Sequence, residues 1–276
     1  MGMLLAFAMA LAVSPDPEYV ALRDALVRDA SESQLKSWET GDDWEKRVTA
    51  MDVRAWQYDQ VVASVAWTVE PAQTRLPAFR FMDPRLESPA AAGPLLARLV
   101  HGRESVDVRV AIVEALTRTG GDWPEVLADM LPEETDVATR TMMVEAARRA
   151  PIEHAVDLLK LGFADKTASV RAAAAETCPW VDANGALEGL VLLALADTDP
   201  IVRAEAARAA GWMRIEDSWT PIVKLLGDPD ARVRLQAVKA LQRLDPADTA
   251  GLPEVGALKH DADTKVQRAA TEAAAQ

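Results

Sequence analysis

Five arginines recur at nearly constant spacing, Arg109, Arg140, Arg171, Arg203 and Arg234, with Gln267 in the sixth place, at steps of 31, 31, 32, 31 and 33 residues. A guanidinium is permanently charged and offers five N–H donors, so a regular series of them could clamp carboxylates or phosphates. Four residues before each position stand Ser105, Asp136, Thr167, Asp199, Asp230 and Asp263. All six are types that cap a helix N-terminus by accepting from an unpaired backbone N–H, at about 1 kcal/mol each. Asp199 is followed by Pro200, the pair expected at a cap and first helical position. Each arginine therefore lies one turn into a helix, within reach of its own cap acid or of an acid in the next repeat.

A second set of chemistry-bearing residues follows each arginine. Offsets of two, five and nine residues fall on one side of a helix. The fifth offset collects Glu114, Glu145, Glu176, Arg208 and Lys239, and the ninth collects Arg118, Arg149, Trp180, Trp212 and Arg243. Trp and Arg are the types that most often anchor interfaces. Glu145, Arg149, Glu176, Trp180, Arg208, Trp212, Lys239 and Arg243 are thus the candidate partner-binding residues, with Trp180 and Trp212 expected to be partly exposed and near one another. A purely structural explanation stands beside this one. Basic groups in a last helical turn complement the helix dipole, and the indoles could cover the adjacent inter-repeat turns.

Catalytic and metal chemistry find no foothold. Cys178 is the only cysteine, so neither an intrachain disulfide nor a thiolate cluster can form. It occupies the offset filled elsewhere by Leu116, Ala147, Ala210 and Leu241, which marks it as a small buried hydrophobe. His101, His154 and His260 share no ligand spacing, and the carboxylate pairs Glu133-Glu134 and Asp42-Asp43 fall in turns or helix starts. No GxSxG, phosphate-cradling glycine loop or HExxH occurs. No catalytic residue, cofactor site or metal site is predicted.

The elements that hold these residues follow from apolar periodicity. Val202, Ala206, Ala209 and Ala210 make a helical stripe around Arg203, as do Val233, Ala237, Ala240 and Leu241 around Arg234. Further apolar helices are predicted between these, at 90–101, 123–131, 152–162, 187–196 and 219–226, separated by Gly, Pro and Asp clusters such as Gly227-Asp228-Pro229-Asp230. The unit is helix, turn, helix, turn in about 31 residues, a period that means stacked supersecondary units. Stepping back by the same period predicts helix starts at Thr74 and Asp43, with Arg47 four residues after the latter. Pro77 and Pro84 interrupt the Thr74 unit, and Arg54 falls where an apolar residue is usual. Residues 13–88 are accordingly expected to be degenerate repeats forming an N-terminal cap, with Trp38, Trp44, Trp56 and Trp67 among them, and 89–276 a regular array. Half of the chain is hydrophobic while aromatics are only 5%, which suits close helix packing through small side chains.

The segments DPIVRAEAARAA and DARVRLQAVKAL resemble the short HEAT repeat of many bacterial proteins, also seen in the phycobilisome lyase group. The resemblance is specific over about 89–276 and implies a right-handed, all-α, armadillo-like solenoid. It implies that second helices line a concave, partner-binding face, and that the repeated arginines form a stabilising ladder with acids. Gln267 then ends the series, where no following repeat needs an ion pair. The function implied is a non-catalytic scaffold or adaptor for protein–protein interaction. The alternative is an enzyme-associated member, either a lyase-type chaperone that attaches a cofactor or a HEAT-like DNA glycosylase. A glycosylase needs a basic concave face, whereas this stripe alternates acid and base.

Charge and the N-terminus bear on partner and compartment. A formal net charge of −13, with 43 acidic against 30 basic residues, sets the overall field against a polyanion, so a protein is expected as partner rather than nucleic acid. Met3 to Val13 is an uncharged run of the length of a secretory h-region, with Ala10-Leu11-Ala12 in the form of a cleavage site. It predicts removal of residues 1–12 and a periplasmic or secreted protein. A buried capping helix in a cytoplasmic protein is the other reading. The run is too short to span a bilayer comfortably.

Overall fold

The computed structural model describes residues 16–68, 88–181 and 184–275. The apolar run, its cleavage site and the Thr74 helix start lie outside them. Every regular element among the described residues is a helix, as the periodicity predicts. The chain divides into two compact units, Met1–Arg149 and Ala150–Gln276.

The first unit contains α1 (Pro17–Asp29), α2 (Glu32–Glu39), α3 (Trp44–Tyr58), α4 (Gln60–Thr68), α5 (Ala92–His101), α6 (Val106–Leu116), α7 (Trp123–Met130) and α8 (Val137–Glu145). The helix α3 is its hub and touches α1, α2, α4, α5 and α7. Gly93 of α5 permits one of these contacts, because a Cβ there would lie 2.4 Å from the Met51 carbonyl carbon. Leu35, Ala50 and Val53 form a small core roofed by Leu26, Val27, Ala30 and Trp38. Arg54, out of place in the repeat pattern, reaches α2 and not the core. It donates to both oxygens of Glu32, at 2.9 and 3.0 Å, and pairs with Glu39.

A buried polar cluster, which periodicity does not announce, ties α1, α3, α4 and α5 together. Asp52 is fully buried and accepts from the Tyr19 hydroxyl at 2.8 Å and the Trp67 indole N–H at 3.1 Å. Burial pushes its carboxyl up to about 6, against the opposing effect of those two bonds. The Tyr19 ring stacks on His101 at 3.8 Å between centroids, and Arg23 lies 4.5 Å from the centre of the Trp56 ring. Burial also holds the His101 imidazole below its ordinary value.

The second unit contains α9 (Ile152–Phe163), α10 (Ala168–Thr177), α11 (Glu188–Ala194), α12 (Pro200–Met213), α13 (Trp219–Leu225), α14 (Ala231–Leu244), α15 (Pro246–Gly251), α16 (Pro253–Ala257) and α17 (Thr264–Ala273). Second helices of successive repeats pack side by side, α10 on α12, α12 on α14 and α14 on α17. First helices form the other layer, with α9 on α10, α11 on α12 and α13 on α14. Alanine makes the close approach possible: Ala206, Ala207, Ala209 and Ala210 of α12 and Ala237 and Ala240 of α14 are all fully buried. At Gly211 a Cβ would come within 2.7 Å of the Ala240 Cα, so α12 and α14 all but touch backbones there. Cys178 is fully buried, and desolvation pushes its thiol up to about 12.

Across both units the predicted caps recur at Asp43, Ser105, Asp136, Thr167, Asp199, Asp230 and Asp263. The five aspartates accept from a backbone N–H two or three residues on. Ser105 and Thr167 take the cap position without a side-chain cap bond.

Candidate functional site

The repeated arginines are built into the turns. Arg203 sends Nε and Nη2 to the two oxygens of Asp228 at 2.8 and 3.0 Å, while Nη1 donates to the carbonyls of Asp197 and Thr198 in its own turn at 2.9 and 3.0 Å. Arg234 repeats this with Asp261 at 2.7 and 2.8 Å and with the Asp228 carbonyl at 2.8 Å. Arg171 does so with Asp197 at 2.8 and 2.9 Å and with the Asp165 carbonyl at 3.0 Å. The acceptor is not the arginine's own cap acid. It is the acid two residues before the next cap, and the same carboxylate also receives the N–H of that next cap residue. Asp197 accepts from Asp199 N, Asp228 from Asp230 N and Asp261 from Asp263 N, each at 2.8–2.9 Å.

One guanidinium therefore fastens its own turn, the next turn and, through the shared acid, the start of the next second helix. Arg171 holds the Asp197 carboxyl below the usual carboxylate range, and Arg234 does the same for Asp261. In the first unit Arg109 pairs with Glu134, which accepts from Asp136 N at 2.8 Å. Arg47 there pairs with Asp129 of α7. Gln267 keeps the inward half of the tie, donating to the Asp261 carbonyl at 2.5 Å. The acid-x-cap spacing of Glu134-x-Asp136, Asp165-x-Thr167, Asp197-x-Asp199, Asp228-x-Asp230 and Asp261-x-Asp263 was the signal that could have named the partner acids.

The candidate ridge residues fall in both units. In the first, Glu145 and Arg149 join Glu114, Thr117, Arg118 and Arg148 around a surface depression. Arg149 closes a 3-10 turn, Ala146–Arg149, and not an α-helical turn. In the second unit Trp180 and Trp212 are 66% and 57% exposed. Their shared offset hides a difference. Pro179 cannot continue α10, so Trp180 stands in the 3-10 turn Cys178–Trp180, which packs against α12, whereas Trp212 lies in the last turn of α12 itself. Arg243 lies over the Trp212 ring at 4.3 Å and donates to the Lys239 carbonyl at 3.2 Å. Arg208 pairs with Glu205 at 2.6 Å and donates to the Glu176 carbonyl at 3.2 Å. Glu176, Arg208, Trp212, Lys239 and Arg243 thus lie in the C-terminal halves of neighbouring second helices, and Trp180 in the turn that follows α10.

Residues 187–275 match the family model of HEAT repeats. That stretch carries HEAT repeats. The matched stretch holds α11 to α17 and the turns joined by Arg203 and Arg234. The same arginine–acid tie occurs upstream of it at Arg171 and Arg109. No curated protein matches the chain in sequence. Among solved structures it is similar to an engineered protein (TM-score 0.45, 20% identity, covering 96% of this chain and 71% of that one). It is also similar to YibA of E. coli (TM-score 0.45, 16% identity, 94% of this chain and 97% of that one). Similarity to Cex1p has a TM-score of 0.50 at 13% identity, over 93% of this chain and 58% of that one, and bears on the fold alone. Among the described residues no helix is long and apolar enough to cross a membrane.

Proposed function

We propose that this HEAT-repeat chain is a non-catalytic adaptor that holds a protein partner on the exposed stripe at the ends of its second helices. The observation that carries this reading is the exposure of two tryptophans, 66% and 57%, in an array whose interior is built largely of alanine. A large aromatic left in water forgoes burial worth about 2 kcal/mol or more, and exposed Trp beside Arg is the composition of an interface anchor. The absence of catalysis is supported by the groups best able to react. The Cys178 thiol is buried and pushed up to about 12, and the ordered carboxylates Asp197, Asp228 and Asp261 are engaged by arginines.

The test is site-specific photo-crosslinking in the native cell. A benzophenone side chain at position 212 should trap one protein species, and the same group at exposed Glu216 should not. Equal, diffuse labelling from both positions would overturn the reading. We also propose that the protein acts outside the cytoplasm, on the strength of the apolar run from Met3 to Val13. N-terminal sequencing of native protein should begin near Val13, and recovery of Met1 or Gly2 would refute export.

A further inference from the structure

The ridge of the second unit carries a local charge opposite to that of the whole protein. Arg208 is paired with Glu205 at 2.6 Å. Lys239 and Arg243 form no ion pair among the described residues, and the remaining stripe position on their helix holds the neutral Gln236. Arg243 is fixed rather than free: its plane rests on Trp212 at 4.3 Å and Nη1 is held by the Lys239 carbonyl. Its Nε and Nη2 are left to donate. Partial burial and then the like charge of Arg208 lower its proton affinity. On a chain of net charge −13, two cations without an ion pair beside the exposed Trp212, with exposed Trp180 on the turn that packs against the same helix α12, form a local patch.

That combination selects its ligand. A carboxylate can take a charge-assisted, two-pronged bond from a guanidinium already held in place, so little side-chain entropy is lost on binding. The Trp212 face is already occupied by Arg243, while Trp180 offers an indole to an apolar or aromatic side chain. A long polyanion would feel the acidic field of the whole protein, whereas a short acidic segment is screened from charges beyond about 8–10 Å and feels mainly the patch.

We propose that this ridge takes an acidic protein segment in which an aromatic or aliphatic residue is flanked by carboxylates. This rests on the reading of the stripe as a protein-docking surface and names the class of partner.

The probe is a fluorescein-labelled random copolymer of glutamate and tyrosine, followed by anisotropy with the full chain at low ionic strength. The copolymer should bind, and polyglutamate without tyrosine should bind about ten-fold more weakly, the loss expected for one aromatic anchor. The double substitution Lys239→Glu with Arg243→Glu should weaken binding by about ten-fold or more, as for two charge contacts reversed. The control Lys265→Glu with Arg268→Glu makes the same change in net charge on exposed positions of α17 and should leave the ridge's binding largely intact. Thermal melts confirm that each variant is folded. Equal binding by the ridge variant and the control would overturn the proposal, as would equal competition by duplex DNA. If the copolymer fails while crosslinking from position 212 still traps a single protein, the acidic class is wrong and the docking surface stands. If both fail, the docking surface itself is wrong.

Discussion

The helices α1 to α5 and the helices α10 to α17 solve the same packing problem in opposite ways. The N-terminal group uses large, irreplaceable parts: Tyr19, Trp67 and His101 gathered around one buried carboxylate, with Arg23 over Trp56. The C-terminal group uses small, interchangeable ones, alanines between second helices and one arginine tie per turn. A repeat must present the same face to each neighbour, so its polar chemistry has to be modular. A stretch outside the regular repeat is free of that constraint and can use a network that occurs once. Damage to the first should therefore be concentrated at single residues, and damage to the second graded and similar from repeat to repeat.

The largest effect is expected at Asp52. Asp52→Ala leaves the Tyr19 hydroxyl and the Trp67 N–H buried without their acceptor, a loss of about 3 kcal/mol, read by urea unfolding followed through tryptophan fluorescence. Its pH dependence separates the two regions. A carboxyl raised to about 6 on folding makes its contribution fully below the ordinary value of about 4 and loses it as pH rises through 6. Asp197 and Asp261, held low by arginine, do the reverse. Their contribution is present at neutral pH and lost on acidification below about 4. Asp52→Asn should flatten the dependence between pH 4 and 6. If that slope persists in the variant, Asp52 is not its source.

Arg203 tests modularity. Arg203→Ala strands Asp228, whose side chain is 6% exposed, and should cost about 2–3 kcal/mol. Arg203→Gln copies the natural Gln267, retains the bond to its own turn and should cost about half as much. Equal losses for the two would mean that the inward bond contributes nothing and that the tie is only an ion pair. Next, Asp199→Ala removes a cap bond of 2.8 Å and should cost about 1 kcal/mol in the same urea titration. The smallest change in stability belongs to Trp180→Ala, under about 0.5 kcal/mol for so exposed a side chain. A fall in melting temperature of several degrees would reassign Trp180 to sealing the turn after α10.

Much of the array was legible from spacing, because each repeat restates one local instruction: a cap, an arginine one turn later and an apolar stripe. Local capping and helical periodicity depend on neighbours within a few residues, and these are adjacent in the chain. The N-terminal cluster was not legible. Tyr19, Asp52, Trp67 and His101 follow no period, and their meeting depends on how four helices cross. Trp180 shows an intermediate case: its exposure agrees with the offset, while its local backbone, bent out of the α-helix at Pro179, does not follow from it.

By itself the sequence determined the all-α fold, the register of the caps and the existence of an arginine series with a glutamine at its end. Only the tertiary structure decided which acid each arginine holds, since Arg203 and Asp228 are 25 residues apart and meet through packing of successive helix pairs. It also decided that Arg243 lies on Trp212. That contact joins two second helices and depends on the close approach that Gly211 allows against Ala240. Bonds within a turn are set by chain connectivity, whereas bonds between turns are set by how closely the intervening side chains let the helices come.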